Sequence, residues 1–306
     1  MSGSSRDRGR AASLRPLLGA AVAATALALT APVAPASAAA TAASLTCTTP
    51  AVAMYHVDGA AQLRRWGLAS PINGTPGWTE QMIGTVWNGL NVISGGDGMI
   101  YTIDQSGNLR WYDDDNYANG GGPSWAPASG SVIGTGWNAY TTVISGGGGV
   151  LYAVDSSGAL HWFRDLAMNG TISWAPGSGS VIGNGFNAPT MLVAGGSGVI
   201  FAVDTSGNLN WFRHLDPSGG SATWANGGLA STIGAGWSGF TQMGSMGGGV
   251  LMARDGTGTV WWYRDADPLG GTGTWANGGN GIAEGTGWSD SQLITDVDGC
   301  VATSTS

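Results

Sequence analysis

The chain has 306 residues, of which 55 are Gly and 15 are Trp, while charged residues make up only 10%. Gly in that quantity suits a fibrous or disordered chain, but so many Trp, each able to bury roughly 150–250 Å², exclude one and assign the Gly to tight turns of a folded body. All eleven basic residues are Arg, and without Arg6, Arg8, Arg10, Arg15 and Asp7 of the N-terminal segment, 7 Arg face 18 acidic residues, a formal charge of −11. Such a surface repels phosphate, so no nucleic acid and no anionic membrane is expected as a partner.

Residues 1–38 read as a secretory signal peptide. A basic head is followed by an apolar stretch over 17–29 and a small-residue run ending Ala36-Ser37-Ala38, the order of a cleavable leader. The apolar core is shorter than the ~20 residues a spanning helix needs. A secreted, extracellular protein with no membrane span is expected. Residues 39–50 then form an N-terminal segment carrying Cys47, residues 51–301 a repeat domain, and residues 302–306 a tail.

The repeat domain holds five copies of one unit of about fifty residues. The phrase Val150-Leu-Tyr-Ala-Val-Asp155, followed by Ser-Ser-Gly-Ala-Leu-His-Trp162, recurs at 99–111, 199–211 and 250–262, with a worn copy, one residue longer, over 53–66. Three Trp series follow the copies: Trp66, Trp111, Trp162, Trp211 and Trp262; Trp78, Trp125, Trp174, Trp224 and Trp275; and Trp87, Trp137, Phe186, Trp237 and Trp288. Only Trp261 lies off them. Each unit predicts four short strands, in the third copy over 141–145, 150–155, 159–164 and 173–182, separated by Gly-rich hairpin turns. Four-stranded antiparallel units at this period are blades of a β-propeller around a central channel. The fold class is therefore all-β, a five-bladed β-propeller.

The two ends of the repeat domain complement each other. Residues 292–297 align with the first strand of a blade, and the N-terminal unit supplies the other three strands from Ala53 onward. The C-terminal strand is thus expected to complete the N-terminal blade and remove two open sheet edges. Cys47 and Cys300 fall at this seam, where a covalent hairpin is missing, and predict a Cys47–Cys300 disulfide in a compartment that permits one. Neither has a Cys or His neighbour at zinc spacing, so no metal and no cofactor is expected.

Little in the chain suggests catalysis. His56, His161 and His214 have no triad setting, and His161 and His214 read as surface or packing positions on third strands. Discounting 1–38, Glu80 and Glu284 are the only glutamates. Asp296 and Asp298, unmatched by the repeat, read as turn residues, and the acidic run Asp113-Asp114-Asp115-Asn116 as a solvated loop. Asp58, Asp104, Asp155, Asp204 and Asp255 recur once per blade, whereas acid–base catalysis needs carboxylates in unlike environments. A meander places the turn carrying each of these Asp and the segment leading to the next blade at one face. That face is expected to present Trp87 with Asn88, Trp137 with Asn138, Phe186 with Asn187, Trp237 with Ser238 and Trp288 with Ser289, beside the five Asp. Aromatic planes suit the C–H face of a sugar, and amides and carboxylates suit its hydroxyls and N-acetyl groups. Packing of the Trp between blades and capping of turns by the Asp are the competing structural roles.

The stretch Ile133-Gly-Thr-Gly-Trp137-Asn138-Ala-Tyr-Thr-Thr-Val-Ile-Ser-Gly-Gly-Gly-Gly-Val-Leu-Tyr152-Ala153-Val154 resembles the repeat of the tachylectin-2-like lectins, and the likeness covers about residues 50–300. It implies five blades and non-enzymatic binding of N-acetylglucosamine or N-acetylgalactosamine (GlcNAc/GalNAc), one site per blade. Phe186, Ser238, Ser289 and Val86, which stands where the other copies have Gly, depart from the pattern. A monomeric, multivalent, carbohydrate-binding lectin is the leading expectation. A propeller-type glycoside hydrolase and a protein-interaction propeller are the alternatives.

Overall fold

The computed structural model describes residues 44–288 and 292–303. The expected signal peptide, site residue Ser289 and residues 304–306 of the tail lie outside them. The described chain is all-β with only short 3₁₀ turns, and its strands form five four-stranded blades. From the innermost strand outward, blade 2 is Asn91–Gly96, Met99–Ile103, Leu109–Asp113 and Ser131–Gly134. Blade 3 is Tyr140–Gly147, Val150–Asp155, Leu160–Arg164 and Ser180–Gly183. Blade 4 is Met191–Ala194, Val199–Val203, Leu209–Arg213 and Ser231–Gly234, and blade 5 is Phe240–Gly247, Val250–Asp255, Val260–Arg264 and Ile282–Gly285. Blade 1 joins the two ends of the chain: Ile294–Thr295 pairs antiparallel with Val52–Val57, which continues into Leu63–Leu68 and Trp78–Gly84.

Neighbouring innermost strands touch in cyclic order, closing a ring around a channel of about 160 Å³ whose lining includes Ser94, Ser145, Ser245 and Thr295. Gln292 helps the short closing strand: its side chain accepts from the Val92 N–H and donates to the Leu90 carbonyl, each at 3.2 Å, as a backbone group would. Asp296 and Asp298 do more than turn the chain. Asp296 Oδ1 accepts from the Asp97 N–H of blade 2, and Asp298 Oδ2 from the Gly148 N–H of blade 3, so both pin the C-terminal segment to the inner hairpins. The Cys47–Cys300 disulfide is present, in a two-stranded ribbon of Ser44–Cys47 and Cys300–Thr303 beside Gly247 of blade 5.

Three details differ from expectation. The outer strand of blade 3 is only Ser180–Gly183, because Gly177 and Gly179 turn the chain first and Trp174 contributes a single bridge to Asp165. His214 lies just past its third strand, fully buried, between the Tyr152 hydroxyl at 3.0 Å and the Ser221 carbonyl at 2.7 Å.

The largest difference is in blade 1. Leu63 pairs with Gly84 as Leu109 pairs with Gly134, so Arg65, not Trp66, occupies the place of Trp111, Trp162, Trp211 and Trp262. Those four Trp are core residues, at most 2% exposed, and three of them donate an indole N–H to the next blade, as Trp162 does to the Pro217 carbonyl at 2.9 Å. Arg65 makes that bridge with charge: Nη1 donates to Asp114 Oδ2 at 2.5 Å and Nη2 to the Gly121 carbonyl of blade 2. Asp114, at the heart of the acidic run expected to be solvated, is consequently buried. Desolvation raises its carboxyl, and the Arg65 hydrogen bond opposes that rise.

Candidate functional site

The turn of each repeat Asp and the segment leaving the same blade lie together, stitched by backbone bonds. Trp137 N–H donates to the Gly107 carbonyl at 3.0 Å, Phe186 to Gly158 at 3.1 Å, and Trp237 and Trp288 to Gly207 and Gly258 at 2.9 Å. In blade 1 the Trp87 N–H donates to Ala61 instead. This is the face that the meander argument anticipates.

The five Asp spend their carboxylates on the turns. Oδ1 of each accepts the N–H groups two and four residues on: Ala60 and Gln62 at Asp58, Ser106 and Asn108 at Asp104, Ser157 and Ala159 at Asp155, Ser206 and Asn208 at Asp204, Thr257 and Thr259 at Asp255. Oδ2 takes the side chain that follows the first residue of the third strand: Arg64, His161, Asn210 or Trp261, with Arg110 at 3.7 Å from Asp104. Trp261, outside the three Trp series, thus has a place in the repeat after all. These bonds hold all five carboxyls below the usual range, led by Arg64 at Asp58, the Asn108 amide at Asp104, the Ser157 hydroxyl at Asp155, the Asn208 N–H at Asp204 and the Thr257 hydroxyl at Asp255.

The third-series aromatics sit at the junctions between blades. Trp87, Trp137 and Trp237 are 5–6% exposed, while Phe186 and Trp288 are half-buried. Each ring lies over a Gly of its own outer strand; a Cβ at Gly134 would come within 2.6 Å of Trp137. On its other side lie an aromatic residue of the next blade's third strand and that blade's second-series Trp. The sets are Trp87 with Tyr112 and Trp125, Trp137 with Phe163 and Trp174, Phe186 with Phe212 and Trp224, Trp237 with Tyr263 and Trp275, and Trp288 with Trp66 and Trp78. In each set the second-series indole N–H donates to a carbonyl of the preceding blade: Ile83, Ile133, Ile182, Ile233 or Glu284. Tyr112, Phe163, Phe212 and Tyr263 are the site residues that sequence reasoning misses. The available signal is that each directly follows a first-series Trp and is itself aromatic.

Three of these aromatic sets wall clefts. The cleft between blades 3 and 4, about 250 Å³, is lined by Asn184, Phe186, Pro189, Phe212 and Trp224. The cleft between blades 4 and 5, about 300 Å³, is lined by Trp237, Phe240, Tyr263 and Trp275. Both have floors of Gly-rich backbone from the connecting segment, which offers N–H and C=O groups beside flat apolar walls. Their sizes fall near the small end of the range for ligand clefts. The seam cleft between blades 5 and 1, about 430 Å³, adds charge: His56, Asp58, Arg64, Glu80 and Glu284 line it with Trp66, Trp78 and Trp288. Asn138 and Asn187 are exposed and lie against the Asp-turn glycines Gly107 and Gly158, as Ser238 lies against Gly207. Asn88 is exposed on the connecting segment of blade 1. Of the five Asp, only Asp58 lines one of these three clefts.

Comparison with curated proteins finds no match. Among solved structures, one described under "the de novo evolutionary emergence of a symmetrical protein" aligns with a TM-score of 0.54 at 17% identity, covering 81% of this chain and 99% of that one, a likeness of fold alone. A point mutant of the Aleuria aurantia lectin in complex with α-methyl-L-fucoside aligns at a TM-score of 0.38 and 14% identity over 79% of this chain and 78% of that one. AofleA from Arthrobotrys oligospora aligns at 0.43 and 12% over 85% and 74%. The Tachylectin family model matches residues 48–293, nearly the whole ring, and the chain belongs to the Tachylectin family.

Proposed function

We propose that this protein is a secreted, non-enzymatic lectin that binds N-acetylated amino sugars in the clefts between its blades. The observation that carries this reading is the repeated cleft itself: two or three aromatic faces beside a Gly-rich backbone ledge, with no carboxylate or guanidinium among the described residues that line the clefts between blades 3 and 4 and between blades 4 and 5. Such a cleft suits a neutral pyranose, its C–H face on an aromatic ring and its N-acetyl group on backbone amides. A single site of millimolar affinity corresponds to only about −4.1 kcal/mol. Several copies on one rigid face raise avidity by roughly 10²–10⁴ where a glycan surface matches their spacing. Family membership, the leader-like N-terminus and the disulfide support extracellular action.

The test is retention of the protein on an N-acetylglucosamine or chitin resin and its elution by the free sugar, with calorimetry of Phe212→Ala and Tyr263→Ala, each expected to weaken binding. Absence of heat with any amino sugar at tens of millimolar sinks the reading. The hydrolase alternative draws on one feature, that Glu80 and Glu284 line the same cleft. Glu80, however, is engaged by Arg64. Release of reducing ends from chitin oligosaccharides would favour hydrolysis.

A further inference from the structure

The clefts described above differ in one respect that packing does not explain. Among the described residues, those between blades 3 and 4 and between blades 4 and 5 are lined by no carboxylate and no guanidinium, whereas the seam cleft is lined by Asp58, Glu80, Glu284 and Arg64. Arg64 is already shared, its Nε donating to Asp58 at 2.6 Å and Nη1 to Glu80. Among the described residues, Asp58 and Glu80 together outnumber that one guanidinium, and Glu284 adds to the excess when it ionises. His56 stands at the same wall, its Nδ1 accepting the Trp66 indole N–H at 3.1 Å.

Glu284 breaks the repeat. It occupies the position of Ile83, Ile133, Ile182 and Ile233, is 5% exposed, and neither carboxylate oxygen has a hydrogen-bond partner among the described residues, the adjacent Trp78 indole N–H being directed at its backbone carbonyl. A buried carboxyl without a partner carries an unrelieved desolvation cost of the kind a bound cation removes. Three Trp stand beside it, with Trp66 and Trp288 centroids 4.8 Å apart and Trp78 6.0 Å from Trp288. Indole faces attract ammonium groups.

We infer that the seam cleft is a separate subsite for a sugar bearing a protonated free amine, whereas the neutral clefts take the N-acetylated form. The ring stacks on the Trp wall and the ammonium turns toward Glu284 and Glu80. This inference rests on the carbohydrate reading above. Burial pushes the Glu284 carboxyl up to about 7, partly offset by the nearby Trp78 indole N–H, so an incoming cation meets a group poised to ionise.

Calorimetry of the mature chain with glucosamine, N-acetylglucosamine and glucose tests it. Glucosamine is expected to bind at one site per chain, more weakly as salt rises. Glu284→Ile, which installs the residue of the other four blades and should therefore fold, and Glu80→Gln should each weaken glucosamine at least tenfold. N-acetylglucosamine affinity at the clefts between blades 3 and 4 and blades 4 and 5 should be unchanged. Glucosamine binding no tighter than glucose, equal at all clefts, or indifferent to both substitutions overturns the subsite. If glucosamine fails while N-acetylglucosamine binds, the subsite alone falls; if no sugar binds, the carbohydrate reading falls with it.

Discussion

The junction between blades 4 and 5 and the seam between blades 5 and 1 share a backbone frame but little side-chain chemistry. At the first, Trp237, Tyr263 and Trp275 stack and the Trp275 indole N–H reaches Ile233. At the second, Trp288, Trp66 and Trp78 repeat that stack, but Glu284 replaces the Ile, Arg64 joins Asp58 and Glu80, and the ring is closed by only two residues of strand, Ile294–Thr295. One further blade along, Arg65 replaces an interface Trp. The blade architecture therefore tolerates charge at a junction provided that a partner or a cleft receives it. The place where the chain ends meet is where such departures gather.

The largest effect should come from opening the seam covalently. The disulfide spans 253 residues of sequence, and chain-entropy models assign about 4.7 kcal/mol to a 100-residue loop. Cys47→Ser with Cys300→Ser should cost about 4 kcal/mol in urea unfolding, with hydrogen exchange rising first in blade 1. Equal loss of protection at the blade 4–5 junction would contradict the comparison. Next is Arg65→Met, which leaves Asp114 buried without its partner and should cost about 3 kcal/mol. Adding Asp114→Asn should restore part of that loss, and failure to do so would deny the pair its role.

A smaller effect is pH dependence. Burial raises the carboxyls of Glu284 and Asp296 to about 7 and those of Asp265 and Asp298 to about 6. The folded state thus holds protons that the unfolded chain releases near pH 4, so stability from these groups is full below about pH 4 and is lost as pH rises toward 7. The five turn Asp act oppositely, adding stability above about pH 4 that is lost on further acidification. Thermal unfolding should show a maximum near pH 4, and Glu284→Ile should raise stability at pH 8 by about 2 kcal/mol but by less at pH 5. The smallest effect is Val86→Gly. Val86 has φ +64° where Gly136, Gly185, Gly236 and Gly287 have φ +79° to +85°, and a Cβ at those four Gly meets no neighbour. Relief of the left-handed strain alone should stabilise by about 1 kcal/mol.

The Trp series and Gly turns made the blades and the closing strand legible, because period and turn chemistry are local properties of a repeat. Trp66 was harder: one extra residue in a worn copy leaves its alignment open, and only the pairing of Leu63 with Gly84 shows that Arg65 holds the interface position. Asp114 looked solvent-facing because its partner is 49 residues away and on another blade. The expected open platforms of Trp87, Trp137 and Trp237 are edge-buried, since the ring stacks needed to join two blades use the same faces.

By itself the sequence determined the number of blades, the order of strands, the closure between the chain ends and the pairing of Cys47 with Cys300. All of these follow from repetition, which fixes local hydrogen bonding and leaves a single way to pair the ends. The tertiary structure alone decided which aromatics wall a cleft, which carboxylates are spent on turns, and where the net charge collects. Those outcomes depend on residues of different blades meeting at a junction, and no spacing within one repeat encodes that meeting.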